Sequence, residues 1–143
     1  MILKTAEWDF LGISPEDLLD EARTARECAY SPYSGFPVGA ALLADDGRIF
    51  KGCNVENGSY GLTVCAERSA VSLMIVSGGR NPGAIAIACG SGVPCPPCGS
   101  CRQVLAEFNP AMIIVLEYGE GSFSLYSLED LLPLSFKLRN RDR

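Results

Sequence analysis

Two short strings, Cys65-Ala66-Glu67 and Pro97-Cys98-Gly99-Ser100-Cys101, set the tightest limit on how this chain can fold. They supply three soft sulfur ligands and one carboxylate, and they leave one coordination position open. That combination suits a zinc centre that activates water, whereas a structural zinc site closes its fourth position with another Cys or His. The chain has no histidine, so closure can come only from Cys28, Cys53, Cys89 or Cys95. A fold that uses both strings must bring two distant segments onto one ion.

Local spacing refines this picture. Cys98 and Cys101 are three apart, which places them on one face of a first helical turn with Cβ atoms about 5–6 Å apart. Cys65 also stands at a helix start, so two positive helix ends point at the thiolates and lower their pKa. Cys95-Pro96-Pro97-Cys98 is a competing C-x-x-C string. Its Pro-Pro pair favours an extended chain of about 3.1 Å per residue, putting Cys95 roughly 9 Å from Cys98 and making it a bystander. Cys28, Cys53 and Cys89 read as small core residues in apolar settings. Glu67, two residues after a ligand, can reach the open position without occupying it. Three thiolates leave the centre negative, which weakens its acidification of water, and the Arg68 guanidinium beside the sulfurs would drain that charge.

A chain of 143 residues, 48% hydrophobic, can bury one core. The expectation is a single domain over 1–143, with 1–13 and 137–143 as flexible ends. A net charge of −5 argues against nucleic acid as a partner. The basic run Lys137, Arg139, Arg141 and Arg143 reads as a solvated tail. No apolar run reaches the ~18 residues of a membrane span. Seven cysteines with metal-like spacing and no secretory leader fit a reducing cytoplasm.

Secondary-structure signals alternate. Ser14-Pro15-Glu16-Asp17 opens a helix whose apolar face carries Leu18, Leu19, Ala22, Ala25 and Ala29, closed by Pro32. Strands are expected over 38–44 and 48–55 around an Asp45-Asp46-Gly47 turn. A helix from Cys65 to Met74, a strand over 84–89 and a helix from Cys98 to Phe108 follow. Strands over 112–116 and 123–126 and a short helix capped by Ser127 complete the order. This pattern implies an α/β fold: a three-layer α-β-α sandwich on a mixed, about five-stranded sheet.

The stretch Phe50-Lys51-Gly52-Cys53-Asn54-Val55-Glu56-Asn57-Gly58-Ser59-Tyr60 adds a second signal. On a strand, Asn54 and Glu56 share one face, and an amide beside a carboxylate suits a sugar hydroxyl pair while repelling a phosphate there. With Ser34-Gly35-Phe36-Pro37-Val38-Gly39-Ala40-Ala41 and Leu131-Leu132-Pro133-Leu134-Ser135-Phe136, these motifs resemble the cytidine deaminases, the small homotetrameric class with three cysteine zinc ligands.

The resemblance spans 14–136 and implies hydrolysis of cytidine and 2′-deoxycytidine to the uridines and ammonia, with one zinc per subunit. It implies Cys65, Cys98 and Cys101 as ligands, and Glu67 as the acid–base group that moves protons to ring N3 and to the leaving amino group. It also implies Arg68 as support for the thiolates. Phe36 would pack on the pyrimidine, Asn54 and Glu56 would hold the 3′-hydroxyl, and the Ala66 N–H would bind the ring carbonyl. Tyr60 and Phe136 would approach the site across subunit boundaries. Gly58 departs from the family's usual alanine, and Cys95 is an added thiol. The rivals are a related deaminase of shifted substrate and a structural zinc module.

Overall fold

A computed structural model describes residues 7–10, 12–90, 92–119 and 121–138. Ser14 starts α1 (Pro15–Arg26) with a reciprocal cap: its Oγ accepts from the Asp17 N–H at 3.1 Å, and Asp17 Oδ2 accepts from the Ser14 N–H at 3.0 Å. Leu18, Leu19, Ala22 and Ala25 form its buried stripe. The helix stops before Ala29, which the apolar spacing had included. Cys28 is therefore carried away from the core by the turn after α1, where its N–H donates to Ala25 O. It is exposed, contrary to its reading as a core residue. Cys53 is half-buried and Cys89 is buried.

All seven residues of β1 (Val38–Ala44) are buried. Gly47, at φ +86°, supplies the left-handed residue that the turn into β2 (Ile49–Cys53) requires. The β1–β2 ladder ends at Cys53, shorter than the expected 48–55, and Val55 makes only isolated bridges to Tyr30 and Val64. A short 3-10 helix (Tyr60–Leu62) then leads into α2 (Ala66–Val76). The chain continues through β3 (Pro82–Cys89), α3 (Gly99–Phe108), β4 (Ile113–Glu117), β5 (Phe123–Ser127) and α4 (Leu128–Leu131).

The sheet runs β2-β1-β3-β4-β5, with β3 and β4 parallel and the other pairs antiparallel. Alternating side chains feed two cores, since neighbours on a strand face opposite ways. On one face Ala41, Leu43, Ala84 and Ala86 meet Leu18, Leu19 and Ala22 of α1. On the other, Leu42, Ile85, Ile87 and Ile114 meet Ala70 and Met74 of α2 and Leu105 of α3. The result is the expected three-layer sandwich.

Trp8, Phe10 and Ile13 pack against the α1-side core, and Trp8 Nε1 donates to Ile13 O at 2.9 Å. Of the ends expected to be flexible, 1–6, 11 and 139–143 lie outside the described residues. Among the described residues no helix is long and apolar enough to cross a membrane.

Candidate active site

The two cysteine strings meet because α2 and α3 pack side by side on one face of the sheet with their first turns adjacent. Cys65 is the N-cap of α2, Cys98 is the N-cap of α3, and Cys101 lies in the first turn of α3. Their three Sγ atoms lie within 4.8 Å of one another. Arg102, which the sequence reading passed over, braces this corner: Nε donates to Pro97 O at 2.8 Å and Nη1 to Leu131 O at 2.9 Å.

Zinc fits this donor set. A tetrahedral site with Zn–S bonds of about 2.3 Å separates its sulfurs by about 3.8 Å, a small contraction of the observed cluster. Cys95 stays outside the cluster; it packs against the main core, and its thiol is pushed up to about 12, chiefly by burial.

The thiols differ electrostatically. Burial acts to raise Cys98, but the backbone N–H groups and thiols around it outweigh that, and its pKa is lowered. Cys101 is fully buried, and burial followed by the charges of Glu67 and Cys65 drives its thiol strongly up. A cation bound among the sulfurs would reverse that penalty. Arg68 is placed to assist: its Nη2 donates to Thr63 O at 3.2 Å and to Cys65 Sγ at 3.6 Å. The nearby Cys65 sulfur raises the guanidinium pKa, so the residue stays a cation.

Glu67 is 5% exposed, one of two buried polar side chains among the described residues. Burial raises its carboxyl above the ordinary glutamate value, opposed by the Cys101 thiol, its own backbone amide and the Arg68 charge. A carboxyl whose pKa is raised by burial holds a proton more readily than an exposed one, which suits an acid–base role.

Thr63, whose carbonyl Arg68 engages, joins Tyr33, Ser34, Glu56 and Tyr60 around a cavity of about 330 Å³. The β1–β2 ladder ends at Cys53, so Asn54 and Glu56 flank the isolated bridges of Val55 rather than standing within a ladder. A side-chain exchange takes its place. Asn54 Oδ1 accepts from the Val38 N–H at 2.9 Å, and Asn54 Nδ2 donates to Phe36 O at 2.9 Å. Glu56 Oε1 accepts from the N–H groups of Tyr33 (2.9 Å) and Ser34 (3.1 Å), and Oε2 accepts from Ser34 Oγ at 2.5 Å. The Ser34 contacts, and then Tyr33, hold the Glu56 carboxyl below the usual range.

Phe36 is part-exposed beside this network, and Tyr60 meets Tyr33 edge-on at 5.8 Å. Ala66 is buried in the first turn of α2, where a backbone N–H has no intrahelical acceptor. Phe136 is 70% exposed, yet its backbone is held at both ends by Gln103 of α3: Nε2 donates to Phe136 O at 2.9 Å, and Oε1 accepts from Phe136 N–H at 3.1 Å.

A buried acid beside soft ligands at paired helix ends is the arrangement of a zinc-dependent hydrolase. Comparison with known proteins narrows the class. Residues 13–117 match the family described as the cytidine and deoxycytidylate deaminase zinc-binding region. A cytidine deaminase of Sporosarcina psychrophila is 48% identical over 122 residues, 85% of this chain and 90% of that protein. One from Mycobacterium tuberculosis is 44% identical over 126 residues, 88% of this chain and 92% of that protein. The crystal structure of a cytidine deaminase from Burkholderia pseudomallei superposes with a TM-score of 0.83 at 46% identity, covering 87% of this chain and all of that one. This chain belongs to the cytidine and deoxycytidylate deaminase family of zinc enzymes.

Proposed function

We propose that the protein hydrolyses cytidine and 2′-deoxycytidine to the corresponding uridines and ammonia, in pyrimidine salvage. The observation that carries this reading is Glu67, a buried carboxylate against the three-thiol cluster with its pKa raised. Zinc held by Cys65, Cys98 and Cys101 would supply the Lewis acidity that makes water a nucleophile near neutral pH. Glu67 takes a proton from the attacking water and delivers it to ring N3. Once C4 is tetrahedral, the same carboxyl carries the remaining proton of the added hydroxyl to the amino group, and the C4–N bond breaks to release ammonia as the C4 carbonyl forms. One residue thus acts first as base and then as acid. Arg68 offsets the charge of the thiolates.

The sugar side rests on hydrogen-bond counting. An ionised carboxylate has about four acceptor positions and a primary amide two N–H donors. Glu56 uses three of its positions internally, leaving one on Oε2, and Asn54 uses one N–H, leaving the other. One spare acceptor beside one spare donor is what a single hydroxyl needs. We assign that hydroxyl to the 3′ position, Phe36 to the pyrimidine face and the Ala66 N–H to the ring carbonyl.

The active form in this reading is a cytoplasmic homotetramer built from one domain over 1–143, with Tyr60 and Phe136 reaching a neighbouring site. The exposure of Tyr60, Leu62, Leu134 and Phe136 in the isolated chain supports association, and light scattering at the mass of a monomer would refute it.

The direct test is loss of ultraviolet absorbance by zinc-loaded protein on both nucleosides, with Glu67→Gln as control. Turnover by the unaltered protein and loss of several orders of magnitude in the variant, with zinc retained, is expected. Near-normal turnover by Glu67→Gln would remove Glu67 from the mechanism. No turnover of either nucleoside by the unaltered protein would overturn the reading.

A further inference from the structure

The loop that carries Phe36 is joined to Glu56 by one hydroxyl. Ser34 Oγ donates to Glu56 Oε2 at 2.5 Å and accepts from the Phe36 N–H at 3.0 Å. The second contact is a two-residue serine turn, and it closes because Gly35 adopts φ +65°, a conformation open mainly to glycine. Around Gly35 nothing lies within 4 Å of a built Cβ, so the constraint there is backbone conformation alone. The circuit continues through Phe36 O to Asn54 Nδ2 and returns from Asn54 Oδ1 to the Val38 N–H.

Two backbone N–H groups already fix Glu56 Oε1. They leave Oε2 able to swing about the Oε1 anchor. The Ser34 hydroxyl is the described contact that stops this swing. It thereby sets the direction of the one acceptor position that remains on Oε2. The same oxygen locates the backbone of Phe36, so the sugar-facing and ring-facing groups share one pivot.

We propose that Ser34 is a positioning residue that aims Glu56 at the sugar 3′-hydroxyl and registers Phe36 to it. This inference rests on the nucleoside reading above. Ser34 touches neither zinc nor the reacting carbon, and it acts by removing freedom that binding would otherwise have to freeze out.

The test uses the full-length, zinc-loaded protein and two nucleosides, cytidine and 2′,3′-dideoxycytidine, which lacks the hydroxyl that Glu56 would bind. Ser34→Ala should lose kcat/KM on cytidine by about ten-fold more than on the dideoxynucleoside, the excess lying in KM, as expected for one aimed charged hydrogen bond. Ser34→Thr, which keeps the hydroxyl, should recover most of the loss. In a Glu56→Gln background, Ser34→Ala should add little on cytidine. Full zinc content and a cooperative thermal melt in every variant exclude misfolding as the cause. Equal losses on both nucleosides, or full additivity with Glu56→Gln, would overturn the positioning role while leaving the deaminase reading intact. An unaltered protein inert on both nucleosides would overturn that reading and this inference with it.

Discussion

Gly52 of β2 lies directly beneath Ala66, the first helical residue of α2: a Cβ built on Gly52 would stand 2.4 Å from Ala66 O and 2.5 Å from Ala70 N. Both contacts are to backbone, so no side-chain adjustment relieves them. This close approach seats the first turn of α2, and with it Cys65 and Glu67, on the sheet.

Gly52→Ala must push α2 outward. Overpacking of a close-packed interior costs about 1–3 kcal/mol, and here the displaced element carries the metal corner. The expected outcome is a lower denaturation midpoint together with weaker zinc retention after dialysis. A variant with unchanged stability and full zinc would show that α2 is not held at that distance.

Asn54 carries structural work that its proposed sugar contact does not reveal. It is buried and satisfies both the Val38 N–H and the Phe36 carbonyl. Asn54→Ala strands those backbone groups, at about 1–3 kcal/mol. Chemical denaturation should therefore show a loss of stability without substrate present, alongside the rise in KM. Weakened binding at unchanged stability would contradict the backbone role.

The Glu56 carboxyl is held down first by the Ser34 hydroxyl, then by the Ser34 and Tyr33 backbone amides. A depressed native pKa means the native state binds fewer protons than the unfolded chain. Its contribution is present above the ordinary glutamate value of about 4.3 and is lost as pH falls through the lowered value. Carbon-detected NMR of the side-chain carboxyl should show Glu56 titrating below ordinary glutamates, and Ser34→Ala should move it up. Titration at or above the ordinary value would break this account of the loop.

Chelation tests the thiolate cluster. The ion binds a site that the unfolded chain lacks, so free zinc at about a hundred times its Kd should stabilise by about 2.7 kcal/mol, several degrees in Tm. Under a reductant, a strong chelator should abolish turnover and lower Tm, and added zinc should restore both at one ion per chain. Cys101→Ser should lose this zinc response, whereas Cys95→Ser, outside the cluster, should keep it.

Much of this molecule was legible in its sequence because local signals agreed with one another. Ser14-Pro15, Cys65 and Cys98 marked three helix starts within a residue. The apolar run of β1 marked a buried strand, and the two cysteine strings named the residues whose sulfurs gather. These features depend on periodicity, capping and donor chemistry over a few residues, which a linear reading contains.

Other features came only from tertiary contacts. The order β2-β1-β3-β4-β5 follows from pairings between distant segments. The buried Asn54 amide finds both a donor and an acceptor on the segment that carries Phe36 and Val38, a pairing no local pattern encodes. Cys28 is exposed because α1 ends at Arg26 and the turn that follows carries it outward. Ser34 gains its two partners from a glycine turn and from a residue on another segment. Sequence alone determined which residues could bind metal and begin helices. The folded chain decided which polar groups face one another, because hydrogen-bond partners are chosen by proximity in space and a buried polar group accepts whichever partner the packing brings.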